Sequence, residues 1–194
     1  GDEAHLFKSK SLVGIMGMLH HAKYRFGFTG TLDGTQTHKW VLEGLFGPSY
    51  QVTQTKDLIE QGHLSQLDIQ CVVLKYTPKK FDTYEDEIQF LISHEKRNKF
   101  LCNLALDLKG NTLMLYSRVE THGKVLYEMI NKNVTHGRKV FFIHGGVDAE
   151  DRESVRKITE EENNAIIVAS YGTFSTGINI KNLHNVIFAS PSKS

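Results

Sequence analysis

Several groups of residues in this chain have side chains suited to phosphate chemistry. Asp2-Glu3-Ala4-His5 sets two adjacent carboxylates beside an imidazole. Phosphoryl transfer needs a carboxylate near Mg²⁺ and another group to orient or deprotonate the attacking water. Neighbouring acidic residues can divide those tasks, because their side chains point in different directions. The same dipeptide also occurs on surfaces where it has no task. Thr29-Gly30-Thr31 offers two hydroxyls around a glycine, which is equally the wording of a simple turn. Ser117-Arg118, His144-Gly145-Gly146, Ser170-Tyr171-Gly172 and Ser175-Thr176-Gly177-Ile178-Asn179-Ile180 add hydroxyls, an imidazole and glycines. Hydroxyls and backbone N–H groups of this kind can hold phosphate oxygens without reading a base sequence. Plainer readings stay open for each. His144-Gly145-Gly146 suits a loop with positive φ, Ser170 and Thr176 suit helix caps, and Arg152 suits a solvated charge.

The elements that must position these residues follow from periodicity. Leu12, Ile15, Met16 and Leu19 have the spacing of an amphipathic helix over 9–22, capped by Ser9 or Ser11. Tyr24 to Phe28 reads as a strand, and His38 to Leu45 as a helix stopped by Gly47-Pro48. A helical turn is expected near 57–61 and a strand at 68–76. Helical text covers Tyr84 to Ile92 and Phe100 to Leu108. Apolar runs at 112–116, 139–143, 165–169 and 185–189 then alternate with helical segments at 120–131 and 148–161. Asp148 and Asp151 have the spacing of a capping box. Apolar strands alternating with helices imply a parallel sheet buried on both faces, with its ligand-binding loops at one edge. The expected fold class is therefore α/β. A domain boundary is expected near residue 66.

Composition excludes little. The chain has 194 residues, 40% hydrophobic and 23% charged, with a net charge of +1. A basic groove can still exist, since net charge averages over faces. Cys71 and Cys102 are isolated, without disulfide or zinc spacing, so reduced thiols are expected. No apolar run approaches the ~20 residues of a membrane span.

Taken in order, these segments resemble superfamily 2 helicases of the DEAH type. Asp2-Glu3-Ala4-His5 and Phe28-Thr29-Gly30-Thr31 resemble motifs II and III. Leu113-Met114-Leu115-Tyr116-Ser117 resembles motif IV, and Ile143-His144-Gly145-Gly146 with Arg152 resembles the family's HG…R segment. Ile167 to Tyr171, continuing through Ser175 to Ile180, resembles motif V. Ala169 to Ile178 and the Lys96-Arg97-Asn98-Lys99 start of a long helix are most similar in wording to the phage UvsW-type members.

The resemblance implies RecA-like (P-loop NTPase) parallel sheets, with 1–66 as the end of a first domain and 67–194 as most of a second. It implies ATP and Mg²⁺ as cofactors and DNA as partner, with RNA open as an alternative. Asp2 would hold Mg²⁺, and Glu3 would orient or deprotonate the water. His5 would link the γ-phosphate site to the hydroxyls of Thr29 and Thr31. Gly177 and Asn179 would approach the nucleotide from the second domain, with Asn179 standing where Asp is common. Ser117, His144, Gly145, Ser170 and Thr176 would lie along the nucleic acid. The activity implied is unwinding or branch migration of DNA in phage replication, recombination and repair, in the cytoplasm of the infected cell. Within the same superfamily, the motor of a restriction enzyme or a remodeller would translocate without unwinding. A degenerate module would bind nucleic acid without an ATP site. The sequence shows no G-x-x-x-x-G-K-[ST] and no Q-x-x-G-R-x-x-R. The expectation is thus an internal piece, from motif II through motif V, of a larger protein and inactive by itself.

Overall fold

The computed structural model describes residues 1–7, 9–30, 32, 36–77, 79–135, 137–174 and 180–191. Two compact units divide between Cys71 and Val72.

In the first unit a short 3-10 turn, Ala4–Leu6, precedes helix α1, Lys10–Met18. Ser9 caps α1, its Oγ accepting from the Leu12 amide at 3.4 Å, and Met16 is buried. Helix α2, Gln36–Phe46, buries Leu42, and its Phe46 meets Phe7 edge to face at 5.3 Å. Helix α3 is Thr55–Glu60. The strand expected at Tyr24 to Phe28 is extended chain rather than a regular strand. It is held to residues 1–4 by bonds from the Gly1 amine to Phe26 O (2.6 Å), Phe28 N to Gly1 O (2.8 Å) and Ala4 N to Phe28 O (2.8 Å). The aromatic side chains of Tyr24, Phe26 and Phe28 stay exposed, so the half-buried surface that favours aromatic strands is missing.

The chain on both sides of the division at Cys71 and Val72 is irregular. The strand expected at 68–76 does not form, and Ile69, Val72 and Val73 are exposed. An apolar run becomes a strand only where a neighbouring ladder takes its N–H and C=O groups. Helix α4, Tyr84–Ser93, starts with Thr83 accepting from the Asp86 amide at 3.1 Å and donating to its carboxylate at 2.7 Å. Helix α5, Glu95–Asp107, buries Asn98, Leu101, Cys102 and Ala105. Strand β1, Thr112–Tyr116, runs into a π-helical turn, Val119–Gly123, and helix α6, Lys124–Asn133. Strand β2, Val140–Ile143, helix α7, Ala149–Glu161, strand β3, Ile166–Ser170, the short helix α8, Tyr171–Phe174, and strand β4, Asn185–Phe188, complete it. Asp148 stands at the N-cap of α7, but its side chain makes no capping bond. Two carboxylates cannot make the hydroxyl-to-carboxylate bond that Thr83 and Asp86 make.

The four strands are parallel in the order β2-β3-β1-β4, the α/β sheet that the alternating pattern predicts. Side chains alternate between two cores. Met114, Tyr116, Ile166 and Val168 pack with Leu101, Ala105, Leu126 and Ile130. Leu113, Leu115, Ile167 and Ala169 pack with Ile143 and Ile180. Gly123 lets the π-helical turn lie against the Tyr116 ring, since a Cβ there would stand 2.4 Å from it.

Candidate functional site

In the first unit the turn after Asp2 builds a small polar cluster. Glu3 has φ of 48°, the one positive φ of a non-glycine residue among the described residues. Its amide donates to the Asp2 carboxylate at 2.9 Å. A left-handed residue here is strained by about 1–3 kcal/mol, and it reverses the chain so that Ala4 is buried while Glu3 and His5 stand together. His5 Nδ1 lies 2.8 Å from Thr29 Oγ1 and 3.2 Å from Glu3 Oε2. A carboxylate only accepts, so the tautomer serving both contacts carries its proton on Nδ1. The structure therefore brings together Asp2, Glu3, His5 and Thr29. Thr31 lies outside the described residues.

Among the described residues no group of three or more His, Cys, Asp or Glu side chains could hold a metal ion. The exposed Asp2-Glu3 pair fits Mg²⁺ in the way that ion uses one or two carboxylates, completed by water and phosphate oxygens.

In the second unit the parallel sheet gathers the other candidates at one edge. Tyr116 lies beside Ser170 and Ile143 beside Ala169 in the ladders, so Ser117, His144 and Ser170 end adjacent strands about 4.8 Å apart. Ser117 is exposed and its amide donates to Ser190 Oγ at 3.2 Å. His144 Nδ1 accepts from the Gly146 amide at 3.1 Å, and its ring leans on Phe142. That bond leaves the proton on Nε2. Neither Gly145 nor Gly146 has positive φ, so the strained-loop reading of this turn does not hold. A side chain at Gly145 would meet nothing within 4 Å. This open backbone suits close approach of a strand. Ser170 Oγ shares a 2.7 Å bond with Thr173 Oγ1. Thr176, Gly177 and Asn179 lie outside the described residues.

Behind this edge stands a buried polar chain that the sequence did not announce. His122 is fully buried, with Nδ1 2.9 Å from Ser190 Oγ and Nε2 3.2 Å from Asn98 Oδ1. Burial, helped by the nearby Arg97 charge, lowers its pKa to about 4, so the ring is neutral at pH 7. Tyr171 Oη donates to Ser190 O at 2.7 Å, and Arg97 Nη2 donates to Ala189 O at 2.6 Å. Desolvation lowers the Arg97 pKa and raises that of Tyr171. This chain fixes the Ser117 amide through Ser190. Its one sequence signal is the polar Asn98, at helical spacing from the apolar Leu101, Cys102 and Ala105 on the buried face of α5.

The profile described as "Helicase conserved C-terminal domain" matches residues 95–194. The chain is 35% identical over 201 residues to "ATP-dependent DNA helicase uvsW" of Enterobacteria phage T4, covering 100% of this chain and 39% of that protein. It is 24% identical over 205 residues to "Putative ATP-dependent RNA helicase L396" of Acanthamoeba polyphaga mimivirus, covering 37% of it. Among solved structures, the crystal structure of T4 UvsW superposes with a TM-score of 0.51 at 30% identity, over 99% of this chain and 38% of that one. The chain thus spans well under half the length of these relatives. The parallel sheet and these likenesses fit a RecA-like fold.

Proposed function

The chain belongs to the family of the helicase conserved C-terminal domain, and on that basis we propose that it is part of an ATP-dependent helicase or translocase acting on DNA. Residues 1–66 are assigned to the end of a first RecA-like domain and 67–194 to a second. The reaction is attack of water on the γ-phosphorus of ATP, with the bond to ADP breaking as the new P–O bond forms. Glu3 orients that water and takes its proton. Asp2 is the ligand assigned to Mg²⁺, which when bound offsets the charge developing on the phosphate oxygens. Thr29 and Thr31 receive the signal through His5. Gly177 and Asn179 are assigned to the nucleotide. Ser117, His144, Gly145, Ser170 and Thr176 are assigned to the phosphates of the nucleic acid.

The observation that carries this reading is the position of the His5 ring, within reach of both the Glu3 carboxylate and the Thr29 hydroxyl. A change of charge or ligand at Glu3 alters which partner the Nδ1 proton serves. The segment carrying Thr29 can thereby respond to hydrolysis. The 35% identity to a protein named as a DNA helicase favours DNA over RNA. The phage relative, named as a DNA helicase, supports unwinding of DNA in an infected cell; branch migration and a part in replication, recombination and repair in its cytoplasm belong to the same proposal. No helix among the described residues is long and apolar enough to cross a membrane.

The test is Glu3→Gln in the whole protein. DNA-stimulated ATP hydrolysis should vanish while binding of a fluorescent ATP analogue stays largely intact. Turnover at the unaltered rate would remove Glu3 from the mechanism. Running the assay with DNA and RNA forks of one sequence decides the substrate.

A further inference from the structure

Arg97 is a half-buried cation with no carboxylate partner among the described residues. Its Nη2 is held by a backbone carbonyl, and its Nη1 is buried with no hydrogen-bond partner. An unpaired buried donor on a charged group carries an uncompensated desolvation cost, which an anion bound beside it would offset. Arg97 lines a cavity of about 540 Å³ with Lys75, Lys79 and Lys96, walled by Tyr76 and Phe90, and the lining includes no Asp or Glu. Among the described residues none of the four cations has a carboxylate within ion-pair distance. Lys79 Nζ instead lies 5.4 Å from the centre of the Phe90 ring. His94 Nδ1 accepts from the Arg97 amide at 3.3 Å, which puts its proton on Nε2 as a further donor.

Arg97 also lines a second cavity of about 570 Å³, with Tyr171, Phe188, Ser190 and Pro191. That cavity opens at the edge where the strands end, beside the Ser117 amide held by Ser190. Arg97 is thus shared by the lysine-lined cavity and the cavity at the sheet edge.

From this shared arginine and the uncompensated charge we infer that Arg97, Lys75, Lys79 and Lys96 form a site for the phosphodiester backbone of one nucleic-acid strand, extending its path beyond the strand-end loops. The inference rests on the proposed nucleic-acid function. Several cations without carboxylates favour a polyanion. The apolar walls suit the sugar and base beside each phosphate, as in sequence-tolerant single-strand sites.

The experiment is fluorescence anisotropy of labelled oligothymidylate with the whole protein across a salt titration. Lys79→Ala/Lys96→Ala is compared with Ser170→Ala. Both lysines are exposed, so the double variant should fold. Its salt slope should fall by about 1.4, at ~0.7 per lost phosphate contact on a single strand, with affinity reduced roughly tenfold. Affinity and slope equal to the unaltered protein, while Ser170→Ala weakens binding, would overturn this site and leave the proposed function standing. No binding by the unaltered protein would overturn both. A double variant that loses ATP affinity but not oligonucleotide affinity would make the cavity a nucleotide site and overturn the inference.

Discussion

Gly123 has no room for a methyl group. A Cβ there would stand 2.4 Å from the ring of Tyr116, which is fully buried and whose hydroxyl donates to Ile143 O at 3.1 Å. Gly123→Ala should cost about 1–3 kcal/mol through overpacking, read as a lower urea midpoint with an unchanged slope. His122 makes a prediction of a different kind. Its pKa falls from 6.5 in the unfolded chain to about 4 in the folded one. Between those values the unfolded state binds more protons, so stability present above pH 6.5 is lost as pH falls toward 4. Urea melts at pH 7 and 5 should differ by about 2 kcal/mol from this residue. His122→Gln should flatten that difference, and an unchanged slope would show that other groups cause it. Residues of this kind are poorly legible in sequence. Asp2, Glu3, His5 and Thr29 stood out because their types carry chemistry wherever they are met. Asn98, His122 and Ser190 are ordinary letters in helical or loop text, and only the packing of α5, the π-helical turn and the end of β4 makes them one chain.

At the scale of elements, the lower end of the sheet is tied by Asn111 and Arg138. The buried Asn111 amide donates toward the carbonyls of Thr159, Glu162 and Asn182 at 2.6–2.9 Å and accepts from the Ala165 amide at 2.8 Å. It thus joins β1, the end of α7 and the approach to β4. Arg138 donates to Ala105, Leu106 and Leu108 at 3.0 Å, closing the carbonyl end of α5. Asn111→Ala should cost on the order of 3 kcal/mol, since several buried carbonyls lose their donor together. A loss below about 0.5 kcal/mol, the level of an indifferent surface change, would mean that water replaces the side chain. The strands tied by these residues were legible because each is a short apolar run between polar loops, and burial on both faces is the price of a parallel sheet. The runs at 24–28 and 68–76 have the same local wording, but among the described residues the first is bonded only to the short segment 1–4 and the second joins no ladder, which sequence spacing cannot reveal. Helices α1, α2, α4 and α5 followed from caps and apolar spacing, which are local properties.

At the scale of the whole molecule, the two compact units differ in how they are built. The first contains helices and extended chain. The second is organised around β1, whose Thr112 pairs with Ile166 on one side and with Asn185 on the other. The strand order β2-β3-β1-β4 puts the earliest strand in the interior and leaves β2 and β4 at the rims. During synthesis β1 therefore waits, unpaired and apolar, until two much later segments have left the ribosome. The Asn111 tie depends on the same late residues. Closing such long loops slows folding, and the waiting strand is open to wrong pairing and to chaperones. In pulse-labelled refolding, the amides of β1, β3 and β4 should gain protection in one phase. A chain ending at Asn164 should leave β1 unprotected, and protection of β1 in that shorter chain would show that the sheet has a nucleus the strand order does not predict.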